Sequence, residues 1–299
     1  MINLAHNYRL MLATALMSAS MMTTAAPVQK DYSLKLTKPG EAVQLDVEVR
    51  FGSIVVEGYD GDTVEIQAIF KEFDEKTLND PEYKEMMGRS AKRYRNNSDK
   101  RNSPEPRSSK GLKRVVNSSV HLNIEESDNE VEIESELDNR LIDLRIRVPK
   151  ASSVDAELFA GGDITVKSLS GSLELGNHRG GVNAYQVDGP IVAETWRSDI
   201  VIEYGSFDKS NPSSFASHLG NIDITVPEKS VKASIMAQSY RGEILSGLNT
   251  EFVPSDEVHK SDDGHQEITL GGAMVAKING GGQTISAQTY SGNIYIRQK

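Results

Sequence analysis

A strict nine-residue pattern of small, apolar and polar positions organises the second half of the chain. From residue 162, five units follow one another: GDITVKSLS, GSLELGNHR, GGVNAYQVD, GPIVAETWR and SDIVIEYGS. Each unit has a small residue first, apolar residues third and fifth, and a polar stretch at its end. This arrangement predicts a short strand with one buried face, followed by a turn. Because so short a unit cannot bury its apolar face alone, the units must stack on one another.

The eighth position of the unit indicates a longer repeat. It alternates between aliphatic residues, Leu169 and Val187, and larger polar or aromatic residues, His178 and Trp196. The full repeat is therefore eighteen residues, with two strands and two different corners, and equivalent strands are expected about 4.8 Å apart. The sequence predicts an all-β protein built as a single-stranded β-solenoid, or β-helix. Glycine at the first position is expected because the corner needs a backbone conformation closed to other residues.

The same pattern returns elsewhere in the chain, so one solenoid domain is predicted over residues 27–299. Units occur near the N-terminus (GSIVV, GDTVE), after residue 232 (ASIMA, GEILS) and near the C-terminus (MVAKI, QTISA, GNIYI). The stretches between these blocks, 206–219 and 247–266, are rich in Ser, Asp, Pro and Gly. We expect them to form longer corners, where insertions in solenoids usually lie.

The first 26 residues are typical of a secretory signal peptide. A mildly basic start ending at Arg9 precedes an apolar run, Leu10 to Met22, and small residues follow, with cleavage expected after Ala25. The run is shorter than the roughly 20 residues of a membrane-spanning helix. The mature protein is therefore expected to be exported, soluble and either periplasmic or at the cell surface. The chain has no cysteine, which excludes disulfides, thiolate metal sites and a lipid-modified N-terminal cysteine.

A charged insertion is predicted between strands at residues 71–114. It begins with a helix-like stretch, 72–87, and continues in 88–114 with ten Lys or Arg residues against two acidic ones. Low hydrophobicity and high charge predict a partly helical, partly disordered segment. A polyanion such as lipid headgroups or an acidic glycan is one interpretation; a solvated loop that binds nothing is the other. The candidate ligand residues within it are Lys92, Arg93, Arg95, Lys100 and Arg101.

Several segments together resemble a known bacterial family. They are PGEAVQLDVEVRFGSIVVEGYDGDTVEI, RIRVPK, the repeated G-x-I-x-V units and NGGGQTISAQTYSGNIYIRQK. The resemblance is to exported proteins of the family labelled "putative adhesin", which have a β-solenoid fold; it covers residues 31–70 and 115–299 and leaves out the basic insertion. It implies an envelope-associated, non-enzymatic protein with a binding or structural role, and it carries over no catalytic residue.

The motifs of several other functions are missing from the sequence. The outward strand positions from 165 to 201 contain no pair of carboxylates of the kind that glycoside hydrolysis uses, and no G-x-S-x-G motif is present. Calcium-binding nonapeptide repeats need aspartates in every turn, whereas only Asp163 and Asp199 occupy the second position here. The net charge of −10 argues against general nucleic-acid binding. No cofactor is expected.

Two groups of side chains are candidate sites. The stretch 254–266 combines carboxylates and histidines, which are ligands for zinc or calcium, although their spacing matches no rigid motif; they are Asp256, Glu257, His259, Asp262, Asp263 and His265. The second group lies at alternate corners, where His178 and Trp196 are expected to stack beside Arg179 and Arg197, and Tyr240 with Arg241 repeats the pair.

The corner group has two interpretations. An aromatic strip with cationic neighbours could hold a sugar ring or an acidic glycan, or the rings and arginines could simply stack on one another. The sequence thus favours an exported binding or scaffold surface without enzymatic activity. An enzyme acting on envelope glycans, and a structural or sensing module that contacts an envelope protein, stay open as alternatives.

Overall fold

The computed structural model describes residues 27–73, 121–135, 140–206, 212–227, 232–260 and 266–299, together with positions 79, 81 and 84; the side chains of 256–260 and 266–271 are not described. The predicted signal peptide and most of the predicted insertion therefore lie outside the described residues. Positions 79, 81 and 84 are helical, within the stretch expected to be helix-like. No helix in the described part of the chain has the length and apolar character needed to cross a membrane.

The described chain is all-β, as predicted, and its strands join in one mixed sheet. The strands of the first half are β1 (Val28–Lys35), β2 (Gln44–Tyr59), β3 (Thr63–Lys71), β4 (Asn123–Ser127), β5 (Glu130–Ser135), β6 (Leu141–Pro149), β7 (Ser153–Lys167), β8 (Leu173–Asn177) and β9 (Val182–Val187). Those of the second half are β10 (Ile191–Thr195), β11 (Ile200–Tyr204), β12 (Ser213–Ser217), β13 (Ile222–Val226), β14 (Ala233–Ser239), β15 (Ile244–Ser246), β16 (Val253–Lys260), β17 (Gln266–Ile278), β18 (Gln283–Thr289) and β19 (Ile294–Gln298).

The strand pairings form two rows. In the first row, neighbouring strands follow the order β4, β5, β2, β7, β8, β10, β12, β18, β14, β17 and β16. In the second row the order is β1, β3, β6, β2, β7, β9, β11, β13, β19 and β15. The long strands β2 and β7 belong to both rows. They change row near Gly52 and Gly161, whose φ angles of 143° and 123° favour glycine.

The parallel pairs in the middle of both rows have the predicted register. Leu173 on β8 pairs with Ile191 on β10, and Val182 on β9 pairs with Ile200 on β11. The partners in each pair are eighteen residues apart. The pairing of residues one full repeat apart is thus confirmed in this region, and equivalent side chains lie in straight columns across the strands.

The third and fifth positions of each unit in the five-unit block, residues 162–206, point into one core. Ile164 and Ile202, at the two ends of the five-unit block, are fully buried, as are the equivalent positions between them. These side chains belong to a single buried cluster that also includes strands from the N- and C-terminal parts. Burying one such aliphatic side chain contributes about 1.5–3 kcal/mol, so the repeated pattern is itself the main source of stability.

Three predicted features were wrong. The corner expected at 206–219 contains strand β12, and the added residues lengthen the spacing from eighteen to twenty-two, since Ile200 pairs with Ile222. The corner expected at 247–266 contains β16 and the beginning of β17, which form an antiparallel pair. The unit MVAKI, residues 274–278, is also antiparallel to its neighbour β14, because a tight turn at Asn279 and Gly280 reverses the chain before β18.

The strands near the C-terminus do not follow chain order. Strand β18 lies between β12 and β14, and β19 lies between β13 and β15. The final repeat of the sequence is therefore inserted between two repeats that precede it. Near the N-terminus, β3 is antiparallel to both β1 and β6, and β4 is antiparallel to β5. Antiparallel strands at both ends make the sheet mixed.

Candidate functional site: an aromatic ladder beside an acidic sheet face

Five turns that follow strands of the first row share a four-residue pattern. It consists of Asn, Thr or Ser, then His, Trp or Tyr, then any residue, then Gly or Ser. The five segments are NHRG (177–180), TWRS (195–198), SHLG (217–220), SYRG (239–242) and TYSG (289–292). Since the strands lie side by side in register, the equivalent positions of these turns form columns.

The first residue of the pattern fixes each turn to its neighbour. The Thr195 hydroxyl donates to the Gly180 carbonyl oxygen at 3.0 Å, and the Asn177 side-chain amide donates to the Gly162 carbonyl oxygen at 3.1 Å. Asn177 and Thr195 are both buried, so these bonds satisfy groups that water does not reach. A Cβ at Gly180 would lie 1.9 Å from the Gly162 carbonyl oxygen, which excludes any other residue there without backbone movement.

The second residue of the pattern builds a stack of rings that we call the aromatic ladder. Its members, in spatial order, are Phe159, His178, Trp196, His218, Tyr290 and Tyr240. The first four successive centroid distances are 5.1, 6.3, 4.2 and 5.0 Å, with planes within 17° of parallel. The last pair, Tyr290 and Tyr240, is tilted by 38° at 6.0 Å. Most of these distances lie in the range of offset-stacked aromatic pairs.

Mutual stacking leaves the ring edges at the surface. Trp196 has a ring on each side and is still 47% exposed, while Tyr240, at the end of the ladder, is 57% exposed. Phe159 and Tyr290 are also exposed. A ligand approaching from solvent therefore meets a row of ring edges, with indole, imidazole and phenol groups in turn, and not a set of open ring faces.

A groove of about 570 Å³ runs along the ladder. Its floor is formed by outward residues that pair in register across the first row: Glu48, Glu157, Gly176, Glu194, Ala216 and Gln288. All of these except Glu48 lie two positions before a ring of the ladder. Small residues at 176 and 216 leave room between the longer side chains. Arg50 lines the groove at the Phe159 end. It lies opposite Phe159, since the neighbouring residues of β2 and β7 pair as Val49 with Leu158 and Phe51 with Ala160.

The sheet face beside this floor is strongly acidic. One line of paired positions crosses five strands and consists of Glu125, Glu132, Asp46, Asp155 and Glu174. Repulsion from Glu134 is the largest cause that raises the pKa of Glu132. Partial burial, and then the charge of Glu174, raise the pKa of Asp155. Both shifts have the direction expected where like charges are held close together.

At the Tyr240 end of the groove the polar side chains are uncharged or, in the case of Arg241, stacked on a ring. The Gln288 amide donates to the Tyr240 hydroxyl at 3.3 Å. The Arg241 guanidinium lies over the Tyr290 ring, 4.9 Å from its centroid, a distance typical of a cation–π contact. The interpretation in which arginines stack over the rings is therefore observed at this pair.

The structure brings together only part of the predicted site. His178 and Trp196 are neighbours in the ladder, and Tyr240 extends it, as expected. Arg179 and Arg197 occupy the same turns but do not line the groove. The basic candidates Lys92, Arg93, Arg95, Lys100 and Arg101 lie outside the described residues.

The carboxylates considered as metal ligands either accept hydrogen bonds from backbone amides or are not described by the structure. Asp163 and Asp199 each accept the backbone amide of the next repeat, from Gly181 and Asn221 respectively, at 2.7 Å. Residues 256–260 are part of β16, with side chains not described, and Asp262, Asp263 and His265 lie outside the described residues. Within the part of the chain that the structure describes, no group of three or more His, Asp or Glu side chains is arranged to hold a metal ion.

Three ladder residues were missed from the sequence. His218 was assigned to a longer corner, and Tyr290 was not connected with Tyr240 because the C-terminal repeat is inserted out of chain order. The four-residue pattern of the turns, SHLG and TYSG, was the signal that could have found both. Phe159 follows Leu158 and lacks the pattern, so only the pairing of β7 with β8 reveals it.

Comparisons with known proteins give little further information. No protein-family model matches the chain, and no curated protein matches it. A crystal structure from Clostridium sporogenes ATCC 15579, described as a "putative cell adhesion protein", is 14% identical, with 92% of this chain and 100% of that chain covered and a TM-score of 0.42. A "putative adhesin" from Bacteroides fragilis NCTC 9343 is 12% identical, with 92% and 97% covered and a TM-score of 0.27. Likenesses of this extent do not establish a common fold or function.

Proposed function

We propose that this chain is an exported, non-enzymatic binding protein of the adhesin-like kind that its sequence resembles, and that its working surface is the groove beside the aromatic ladder. The proposed ligand is an extended glycan that runs along the groove, across the strands. The observation that carries the proposal is the coincidence of the groove with six aromatic side chains and with a floor that holds three glutamates and a glutamine between small residues.

The proposal includes a β-solenoid for the parallel region, in which β7 to β13 and the pair β18 and β19 form stacked coils. The eighteen-residue register of β8 with β10 and of β9 with β11, and the core common to all these strands, support it. Such an array presents the same corner repeatedly, about 4.8 Å apart. A surface of this kind suits a polymer with a regular repeat, because each monomer then meets an equivalent set of side chains.

The chemistry of the groove suits a saccharide. Sugars offer hydroxyl groups all around each ring and apolar C–H faces between them. Carboxylates such as Glu157 and Glu194 accept hydrogen bonds from hydroxyls, and charge-assisted bonds of this type are among the stronger ones. The exposed edges of Trp196 and Tyr290 offer apolar area next to N–H and O–H groups, which is the usual role of these residues in binding surfaces.

A second candidate function is purely structural. The rings cover one another's faces, and self-stacking would by itself explain why aromatic residues occur in this column. In that case the ladder stabilises the corner and the groove has no ligand.

The single tryptophan of the chain makes the proposal testable. Trp196 stands in the middle of the ladder, so its fluorescence reports on the groove. We would titrate the purified protein with a panel of soluble oligosaccharides and polysaccharides, follow this fluorescence, and confirm affinities by calorimetry. Tyr290→Ala keeps the reporter and removes a groove residue, and we expect it to weaken binding about tenfold, equivalent to about 1.4 kcal/mol.

Leu219→Ala is the matched control. Leu219 is 46% exposed and lies in the same column of turns, but it does not line the groove, so its removal should leave the affinity unchanged. If no saccharide alters Trp196 fluorescence while Tyr290→Ala lowers the unfolding temperature, the structural interpretation replaces this proposal. Release of reducing ends from any bound glycan would contradict the non-enzymatic part.

A further inference from the structure

The charge of the groove restricts the kind of glycan that fits it. We infer that the preferred ligand is an amine-bearing glycan, a chain of β-linked amino sugars with protonated amino groups, rather than an acidic or neutral one. This inference rests on the proposed function, since it specifies the ligand of the same groove.

The first argument is the sign of the charges that face a ligand. Three carboxylates, Glu48, Glu157 and Glu194, line the groove, and Arg50 is the one Lys or Arg among the described lining residues. The arginines that suggested an acidic glycan, Arg179 and Arg197, are not part of the lining. An acidic polymer in this groove would bring its own negative charges beside these carboxylates, and like charges at an interface are unfavourable.

The second argument concerns the six ion pairs found among the described residues. The ion pairs formed among the described residues are elsewhere on the surface, for example Arg147 with Glu65 and Arg297 with Asp223. None of the ion pairs found there involves a groove carboxylate. A protonated amine from a ligand can therefore pair with the groove carboxylates without displacing any of these six ion pairs.

The third argument is the continuity and spacing of the charge. Glu48 and Glu157 are on adjacent strands, and Glu194 is two strands further, with Gly176 between them. Acidic residues on β5, β4 and β8 extend the negative surface beyond the groove. The strand spacing of about 4.8 Å is comparable to the length of one linked pyranose ring. A stiff amino-sugar chain could thus place amines near successive carboxylates with little loss of conformational freedom.

The test compares three soluble oligomers of equal length at mildly acidic pH. They are an oligomer of glucosamine, its N-acetylated and therefore neutral counterpart, and an oligomer of galacturonic acid. We expect the glucosamine oligomer to bind at least tenfold more tightly than the other two. Its affinity should fall as salt concentration rises, because exposed charges are screened within about 10 Å at 0.1 M salt, whereas the affinity for the neutral oligomer should change little.

Variants separate the groove from the general charge of the protein. The double substitution Glu157→Gln with Glu194→Gln should weaken glucosamine binding about tenfold and change binding of the neutral oligomer less than twofold. Glu243→Gln with Glu251→Gln changes the net charge by the same amount at exposed positions outside the groove and should have no effect.

Each other outcome has a definite meaning. Equal affinity for the amine-bearing and neutral oligomers would overturn this inference and leave the proposed function intact. Strongest binding of the galacturonic acid oligomer would overturn it in favour of an anion site. Failure of all three oligomers, together with the whole saccharide panel, would overturn the proposed function itself.

Discussion

The two corners of the eighteen-residue repeat use the same sequence position in opposite ways. In one corner, which we call the buried corner, the eighth position holds Leu169 and Val187, and both are within the core. In the other, the aromatic corner, it holds His178 and Trp196, and both are exposed. The nine-residue pattern alone is therefore sufficient to predict the strands. The residue at the eighth position, which differs between alternate units, determines whether a corner is buried or exposed.

The backbone explains the difference. In the buried corner the residue before the core side chain, Ser168 or Gln186, has a left-handed conformation with φ near 55°, which is uncommon for residues other than glycine. That single residue turns the next side chain inward. In the aromatic corner the corresponding residues, Asn177 and Thr195, are themselves buried and donate to backbone carbonyl oxygens of the preceding repeat, those of Gly162 and Gly180. The ring that follows must then point outward, as the alternation of a strand requires.

The largest expected effect comes from crowding the buried corner. A Cβ at Gly171 would lie 2.3 Å from the Ser152 carbonyl oxygen, so Gly171→Val must push two backbone segments apart. We expect it to lower the free energy of unfolding by at least about 4 kcal/mol or to prevent folding. Thr165→Val, on the outer face of β7, should change it by less than about 0.5 kcal/mol. Urea unfolding of both variants is the measurement, and similar midpoints would refute the register described above.

This glycine also shows where sequence reasoning was right for the wrong reason. The sequence predicts that the first position needs glycine because of an unusual backbone angle. Gly171 does not have a positive φ; what excludes a side chain is the close approach of the neighbouring strand. A regular spacing of glycines in the sequence indicates a constraint at that position, but it does not distinguish a dihedral constraint from a packing one.

Local regularity was predictable and long-range order was not. The strands β8 to β11 lie where the five-unit block predicts them, because each unit repeats the same alternation within a few residues. The insertion of β18 between β12 and β14 depends on which distant edge the last repeat pairs with, and all repeats have similar edges. Four added residues before β12 were enough to interrupt the pattern and to conceal His218.

For the same reason, the adjacent rings of the candidate site could be predicted from the sequence and its acidic floor could not. His178 and Trp196 are eighteen residues apart, so their proximity follows from the repeat. The acidic floor of the groove combines Glu48 from β2 with Glu157 and Glu194, and no sequence period connects residue 48 with the later block. The charge of the site, and with it the class of ligand, is therefore a property of the tertiary structure.

A second prediction compares the same position in the two corners. Leu169→Ala removes a fully buried side chain and should lower the free energy of unfolding by about 3 kcal/mol. His178→Ala removes an exposed ring with two stacking neighbours and should cost about 1 kcal/mol or less. Thermal and urea unfolding of the two variants check this. A His178→Ala variant as unstable as Leu169→Ala would mean that the aromatic ladder is mainly a structural element.

The smallest expected effect concerns the acidic face, which distinguishes the first row of strands from the second. Asp155 has neighbours of like charge and its folded-state pKa is raised, first by partial burial and then by Glu174. The folded protein thus holds this proton more tightly than the unfolded chain does. As pH rises above the ordinary Asp pKa of about 3.9, the unfolded state gains relative stability, and the penalty is fully present once pH exceeds the raised pKa.

Replacing the charge should remove this penalty. Asp155→Asn is expected to raise the unfolding temperature at neutral pH by about 1 °C, and the gain should shrink as pH falls through the raised pKa and vanish below the ordinary one. Asp223→Asn is the control on the second row, because Asp223 accepts three hydrogen bonds from Arg297, at 2.8 to 3.0 Å. Loss of this carboxylate should leave the stability unchanged or lower it slightly. Calorimetric scans of the unmodified protein and of the two variants, from acidic to neutral pH, would measure these changes in unfolding temperature. A loss of stability in Asp155→Asn at neutral pH would show that this carboxylate is favourably paired. Repulsion among the acidic residues of the first row would then destabilise the folded protein less than their positions in register imply.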